Sequence, residues 1–235
     1  MTGRPRIAVV TFPGSNDDGD ARLALDRLGA EPVAVWHTAP ELPAGVSGIV
    51  LPGGFSYGDY LRCGALARLA PVMDAVRAFA EDGGPVLGIC NGFQILCEAG
   101  LLPGALRPNR QLEFICADVT VVVETTATPF TAWCTEGEEL VIPVKHGEGN
   151  WVAGDDLFAD VLARGQVVLR YTEDVNGSLD QVAGVSNREG NVLGLMPHPE
   201  HAVDTLLGPT GGVPLLGGLI AAARDGASVG ALARG

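Results

Sequence analysis

At 235 residues the chain has the length of one large domain whose core can close without disulfides or metals, and residues 1–235 are read as that one domain. A formal charge of −13 with no basic patch excludes a binder of the phosphate backbone, since the whole field would repel nucleic acid. Thirty-three glycines, roughly twice the average share, suit an α/β fold with many tight strand-to-helix turns better than a helical bundle.

No apolar signal core follows Met1 and no apolar stretch approaches membrane-spanning length, so a cytoplasmic protein without a membrane partner is expected. Ile7 to Phe12 reads as a buried strand, and Asp17 to Leu28 as a helix with Ala21, Leu25 and Leu28 on one face and two aspartates at its positive end. Pro32 to Trp36 and Gly48 to Leu51 follow as strands, then Ala65 to Ala80 as a helix with Leu66, Leu69, Met73, Val76 and Phe79 in an apolar stripe. Val86 to Ile89 is a further short strand and Asn91 to Ala99 a buried helix. This alternation predicts a mostly parallel sheet with helices on both faces, a flavodoxin-like arrangement. Beyond Leu101 the pattern changes. Phe114 to Val123, Glu139 to Val144, Val167 to Tyr171, Val182 to Ser186 and Val192 to Met196 are strand-like with little helix between them, and read as antiparallel additions and returning core strands. Gly211 to Arg224 reads as a closing helix, with fraying expected from Gly226 onward.

The most informative stretch is Pro85 to Leu96, in which a buried strand ends in Cys90 with Gly88 and Gly92 on either side. That is the pattern of a nucleophile elbow. The glycines leave room for the tight turn, and the thiol stands beside free helix N-terminal N–H groups whose dipole favours a thiolate. The bland alternative is a core cysteine at a strand end. The five cysteines, at 63, 90, 97, 116 and 134, form neither a disulfide framework nor a zinc pattern. One reactive thiol among inert ones is expected, with Cys97 and Cys116 buried.

A catalytic thiol needs a base. His198, in Gly194-Leu195-Met196-Pro197-His198-Pro199-Glu200, follows an apolar strand where it can cross the mouth of the same sheet, with Glu200 near enough to orient the imidazole. His37 reads as a loop histidine, and His201 could replace His198 only if Pro199 and Glu200 had other tasks. A metal held by His198 and His201 lacks a third ligand in the sequence, so no metal is expected. The Pro52-Gly53-Gly54 turn after the third strand can expose the N–H groups of Gly53 and Gly54 to an oxyanion, with the N–H of Asn91 as a further donor; read alone, it is equally an ordinary glycine-rich turn. Gly14 to Gly19 has phosphate-loop spacing, but Asp20 and Ala21 replace the required Lys and Ser or Thr, and its aspartates repel phosphate. His146-Gly147-Glu148-Gly149 reads by itself as a turn.

Taken together, the Gly-x-Cys-x-Gly-x-Gln elbow, the upstream Pro-Gly-Gly loop and the downstream His-Pro-Glu resemble the class I, triad-type glutamine amidotransferases. Phe12 to Asn16, Trp36-His37, Pro52 to Arg62, His146 to Gly149, Asn176 to Ser178 and Met196 to Glu200 are similar to the glutaminase subunits of phosphoribosylformylglycinamidine synthase, an enzyme of purine synthesis. The resemblance implies Cys90 as nucleophile, His198 as general base and acid, Glu200 as its partner, and Gln94 as a contact of the substrate glutamine. Asn109 to Phe114 departs from the serine and basic residue usual there; Phe114 is carried over as a second glutamine contact. The resemblance further implies no cofactor on this chain, with ATP and Mg on a synthetase partner, and a small accessory subunit completing the complex. Tyr57, Tyr60 and Arg62 are candidate partner contacts. The alternatives are the glutaminase of another triad-type amidotransferase, a cysteine hydrolase of the same fold and a non-enzymatic interaction module.

Overall fold

Strand and helix alternate through most of the first hundred residues of the computed structural model, which describes residues 3–226. The order is β1 (Arg6–Thr11), α1 (Asp18–Arg27), β2 (Glu31–Trp36), β3 (Val46–Leu51), α2 (Val72–Glu81), β4 (Val86–Ile89) and α3 (Asn91–Glu98). Then come β5 (Ala105–Arg107), β6 (Ile115–Val123), β7 (Glu139–His146), β8 (Asn150–Val152), α4 (Asp155–Ala163), β9 (Val167–Tyr171), β10 (Val182–Ser186), β11 (Val192–Leu195) and α5 (Gly212–Asp225).

Nine strands form one sheet in the order β2-β1-β3-β4-β11-β10-β9-β6-β7. The half from β2 to β11 pairs in parallel, and every later pairing is antiparallel, so only β10 and β6 run against the rest. The parallel half needs cover on both faces, and β1 shows it: consecutive residues Ile7, Ala8, Val9 and Val10 are all fully buried. Burying each large aliphatic side chain contributes about 1.5–3 kcal/mol. At the far end β6 is buried on one face only, with Val119, Val121 and Val123 inside. Cys116, expected to be buried, lies in the exposed start of this strand and is itself exposed. A strand-like run is buried on both faces only where helices cover both.

The expected helix Ala65–Ala80 is broken. A short 3₁₀ turn, Ala67–Leu69, is followed by extended Ala70, and α2 starts after Pro71, because the residue before a proline is driven out of the helical region. Leu69 consequently faces solvent. Helix α4 was not anticipated, although Asp155 and Asp156 mark its first turn. Strands β5 and β8 form a separate two-stranded ribbon. Gly226 closes α5 in the left-handed region, with φ 62°; the rest of the segment expected to fray lies outside the described residues. No helix among them is long and apolar enough to cross a membrane.

Two features of this topology place the site. β4 and β11 are neighbours in parallel register, Gly88 beside Gly194 and Ile89 beside Leu195, so the segments leaving the two strands emerge at the same end of the sheet. The twisted sheet also brings β7, at the edge opposite β2, back over that end: the Pro143 carbonyl accepts a hydrogen bond of 2.8 Å from the His198 N–H.

Candidate active site

Cys90 sits between β4 and α3 with φ 49° and ψ −103°, a conformation rarely adopted by a side-chain-bearing residue and costing of order 1–3 kcal/mol. Its neighbours enforce it. The Cys90 N–H donates to the Leu195 carbonyl at 2.8 Å, and its own carbonyl accepts from the Gln94 N–H at 3.1 Å. Gly88 is required by close approach, since a Cβ there would lie 2.7 Å from the Gly92 carbonyl oxygen. The thiol is thereby held at the head of α3, facing out of the strand end.

His198 comes from the segment after β11 and is 1% exposed. The 3₁₀ turn Pro199–His201 folds Glu200 back so that its Oε1 lies 2.6 Å from His198 Nδ1, both side chains being buried. Burial alone would lower the imidazole pKa, but the Glu200 carboxylate and the Cys90 sulfur outweigh it and raise the pKa well above the usual histidine value. Among the described residues Nε2 has no hydrogen-bond partner, and the Cys90 sulfur is one of the groups that raise the imidazole pKa. The carboxylate and sulfur beside the ring favour its protonated form.

In front of Cys90 lies a cavity of about 240 Å³, whose walls include Gly54, Gln94, Phe114, Lys145 and Glu148. Gly54 adopts φ 141°, and among the described residues neither its N–H nor that of Asn91 reaches a protein acceptor. Gly53 stands behind the cavity: a Cβ on it would come within 2.7 Å of the His198 ring. Its carbonyl accepts from the N–H groups of Asn16 and Asp17 at 3.2 and 3.3 Å. Of the two glycines expected as oxyanion donors, Gly54 therefore faces the reaction space and Gly53 provides clearance for the base. The Gln94 amide is fixed by two bonds, donating to the Glu148 carbonyl at 2.6 Å and accepting from Asn91 Nδ2 at 2.8 Å. Phe114 is half-exposed at the mouth.

Other residues at the site were not anticipated. Asn109, fully buried, donates to the carbonyls of Glu113 and His146, both at 2.9 Å, and accepts from the Gly149 N–H at 2.9 Å. It pins Phe114's segment to the 146–149 turn. His146 Nδ1 lies 3.0 Å from Asn109 Oδ1, and burial, with His198 nearby, lowers its pKa to about 4. Asp59 and Cys63 also line the cavity; burial raises both, and for the thiol the nearby Asp59 charge adds to the effect. Asp17 is the largest omission. The sequence placed it at the start of a helix, but its buried carboxylate bonds Lys145 and His201. This supplies the further ligands that a His198–His201 metal pair lacked, since Asp17, His198, Glu200 and His201 each offer an atom within 4.8 Å of the others. Lys145 already neutralises Asp17 and Glu200 already holds His198, so the cluster is a paired charge network whose ammonium would oppose an added cation.

A parallel sheet that delivers a strained cysteine and a carboxylate-bound histidine from adjacent strand ends is the arrangement expected of a triad-type glutamine amidotransferase. A family model described as the CobB/CobQ-like glutamine amidotransferase domain matches residues 4–210. A phosphoribosylformylglycinamidine synthase subunit PurQ of Rubrobacter xylanophilus is 56% identical over 93% of this chain and 99% of its own, and the chain belongs to the PurQ family. The structure of PurLQS from Thermotoga maritima superposes with a TM-score of 0.86 at 47% identity, covering 93% of this chain and 98% of the matched one. A glutamine amidotransferase from the same organism, 18% identical with a TM-score of 0.57 over 85% of this chain and 78% of its own, shares the fold.

Proposed function

We propose that this chain is the glutaminase subunit of phosphoribosylformylglycinamidine synthase, a carbon–nitrogen ligase that takes its amide nitrogen from glutamine. The observation that carries the chemistry is the buried His198–Glu200 pair beside the strained Cys90. The Cys90 thiolate attacks the side-chain amide carbon of glutamine, and the N–H groups of Gly54 and Asn91 hold the tetrahedral oxyanion. His198 gives its proton to the departing nitrogen, releasing ammonia and leaving a γ-glutamyl thioester. The now neutral imidazole takes a proton from water as it attacks. The second tetrahedral intermediate collapses to glutamate and restores the thiolate and the imidazolium. Gln94 and Phe114 contact the glutamine in this reading, and Glu200 keeps the imidazole in the tautomer that presents Nε2 to the sulfur.

These steps need no cofactor; ATP and Mg are assigned to the synthetase partner that consumes the ammonia, with a small accessory subunit in the assembly. Ammonia becomes protonated in bulk water and loses its nucleophilicity, so the cavity mouth must be sealed by that partner. Exposed Phe55 and Phe114 line the mouth, and exposed Tyr60, Leu61 and Leu112 stand on the same two segments, an apolar rim suited to a protein neighbour. Of the other candidate contacts, Tyr57 bonds His37 at 2.6 Å and Arg62 pairs with Glu98, so both have partners within the chain. The relation to a family of metabolic enzyme subunits supports a cytoplasmic location, with residues 4–210 forming the glutamine amidotransferase domain. The test is Cys90→Ala in the reconstituted complex, assayed with glutamine and with ammonium. Glutamine-dependent synthesis is abolished and ammonium-dependent synthesis persists; equal loss of both would show that Cys90 serves the fold or the synthetase reaction instead.

A further inference from the structure

We propose that Asp17 is a positioning residue for this reaction, a second carboxylate that holds the His198 imidazolium and fixes the oxyanion loop relative to it. The inference rests on the glutaminase reading above. Asp17 stands at the N-cap of α1, where an aspartate ordinarily accepts hydrogen bonds from the first-turn N–H groups, yet its side chain makes no cap bond. It turns into the protein instead and is 4% exposed. There Oδ1 takes the Lys145 ammonium and lies 3.2 Å from His201 Nε2, while Oδ2 lies 3.8 Å from His198 Nδ1. Burial would raise the carboxyl pKa, but hydrogen bonds from His201 and Lys145 outweigh it and hold the pKa well below the usual carboxylate range, which favours the anion.

The same residue reaches the other half of the machinery through its backbone. The N–H groups of Asn16 and Asp17 converge on the Gly53 carbonyl, so the peptide that carries the Gly54 N–H is fixed to the segment carrying the carboxylate. A Cβ on Gly53 would strike both the Asp17 carboxylate and the His198 ring, which shows how closely loop, carboxylate and base are packed. The ionisable groups acting on His198 are then Glu200 on its own turn, Cys90 from the elbow, Asp17 with its counter-ion Lys145, His146 and His201. Of these, Asp17 and Lys145 form a bonded pair of opposite sign. Their removal one at a time pushes the imidazolium in opposite directions, whereas damage to packing does not.

The experiment compares Asp17→Asn and Lys145→Met in the reconstituted complex, following glutamine-dependent kcat and KM across pH beside ammonium-dependent synthesis. Asp17→Asn should lower kcat for glutamine about tenfold and move the basic limb of the profile about one unit to lower pH. Ammonium-dependent synthesis should be unchanged, because the synthetase is untouched, and the position of the basic limb rather than KM is the readout, since Asp17 and Lys145 both line the glutamine cavity. Lys145→Met should move the same limb to higher pH. Basic limbs that stay in place, or move the same way in both variants, would overturn the proposal. If Asp17→Asn does not assemble, the upward shift in Lys145→Met carries the test alone, and its absence overturns the proposal. Failure here leaves the triad standing, since that reading has its own test: it is lost if Cys90→Ala keeps glutamine-dependent synthesis or loses ammonium-dependent synthesis equally.

Discussion

Gly54→Ala tests the oxyanion assignment most directly, because the structure fixes what the added methyl must do. A Cβ at this position would lie 2.6 Å from the Asn16 nitrogen and 2.7 Å from the Gly14 carbonyl oxygen, against about 3.4 Å for an ordinary contact. Both are backbone atoms and neither can rotate away, so the 53–54 peptide must shift by the difference, about 0.8 Å. Its φ of 141° adds strain for a residue with a side chain. An oxyanion donor acts within about 2.7–3.1 Å of the developing charge, and losing one costs about 10²–10³ in kcat, or roughly 2.7–4 kcal/mol. The assay is single-turnover formation of the γ-glutamyl thioester in the assembled complex, with ammonium-dependent synthesis as a control on assembly. Thioester formation should fall by two to three orders of magnitude, on the order set by one lost donor, while the control is unaffected. Thioester formation within a few-fold of the unmodified rate would refute the assignment of Gly54 as a donor.

His198→Ala should nearly abolish thioester formation, whereas Glu200→Gln, which keeps the shape and loses the charge, should cost roughly 10²–10⁴; equal rates in Glu200→Gln and unmodified protein would remove Glu200 from the triad. A glutamine-like electrophile should label Cys90 first, with protection by glutamine, because Cys63 and Cys97 are pushed far above the usual thiol value and Cys134 up to about 11. Exposed Cys116 should react with simple alkylating agents without glutamine protection, and peptide mass mapping separates the two patterns. His146 gives a pH signature: with its folded pKa lowered to about 4 against about 6.5 unfolded, its stabilising contribution is full above about 6.5 and is lost as pH falls toward 4. That amounts to roughly 3 kcal/mol at most, so urea unfolding at pH 7 and pH 4.5 should show a smaller difference in His146→Gln than in the unmodified chain. An unchanged difference would mean that His146 titrates normally.

The residues readable from sequence were those whose chemistry is local. Cys90 lies between its two glycines, and His198 reaches Glu200 within a single 3₁₀ turn, so each pattern fits in a few consecutive residues. Asp17 could not be read this way, because its partners Lys145 and His201 are 128 and 184 residues away and its own neighbourhood imitates an ordinary helix start. Asn109 was hidden likewise, since its bonds run to the 146–149 turn. Within the fold, alternation identified the parallel half. The Ala65–Ala80 helix failed because an apolar stripe continued past Pro71, whose backbone constraint outranks periodicity. Cys116 failed because strand character says nothing about which strands lose their cover.

The pairing of β4 with β11 also sets the order in which the molecule can become active. A nascent chain exposes residues 86–96 before residues 192–200 leave the ribosome, and until then Cys90 lacks both His198 and the Leu195 carbonyl that holds its N–H. β11 must next enter between β4 and β10, a long-range closure of the kind that slows folding. On the proposed mechanism, glutamine hydrolysis is therefore coupled to completion of the central sheet: unfinished chains, and chains cut before Val192, lose His198, Glu200 and the strand beside Cys90 in one event.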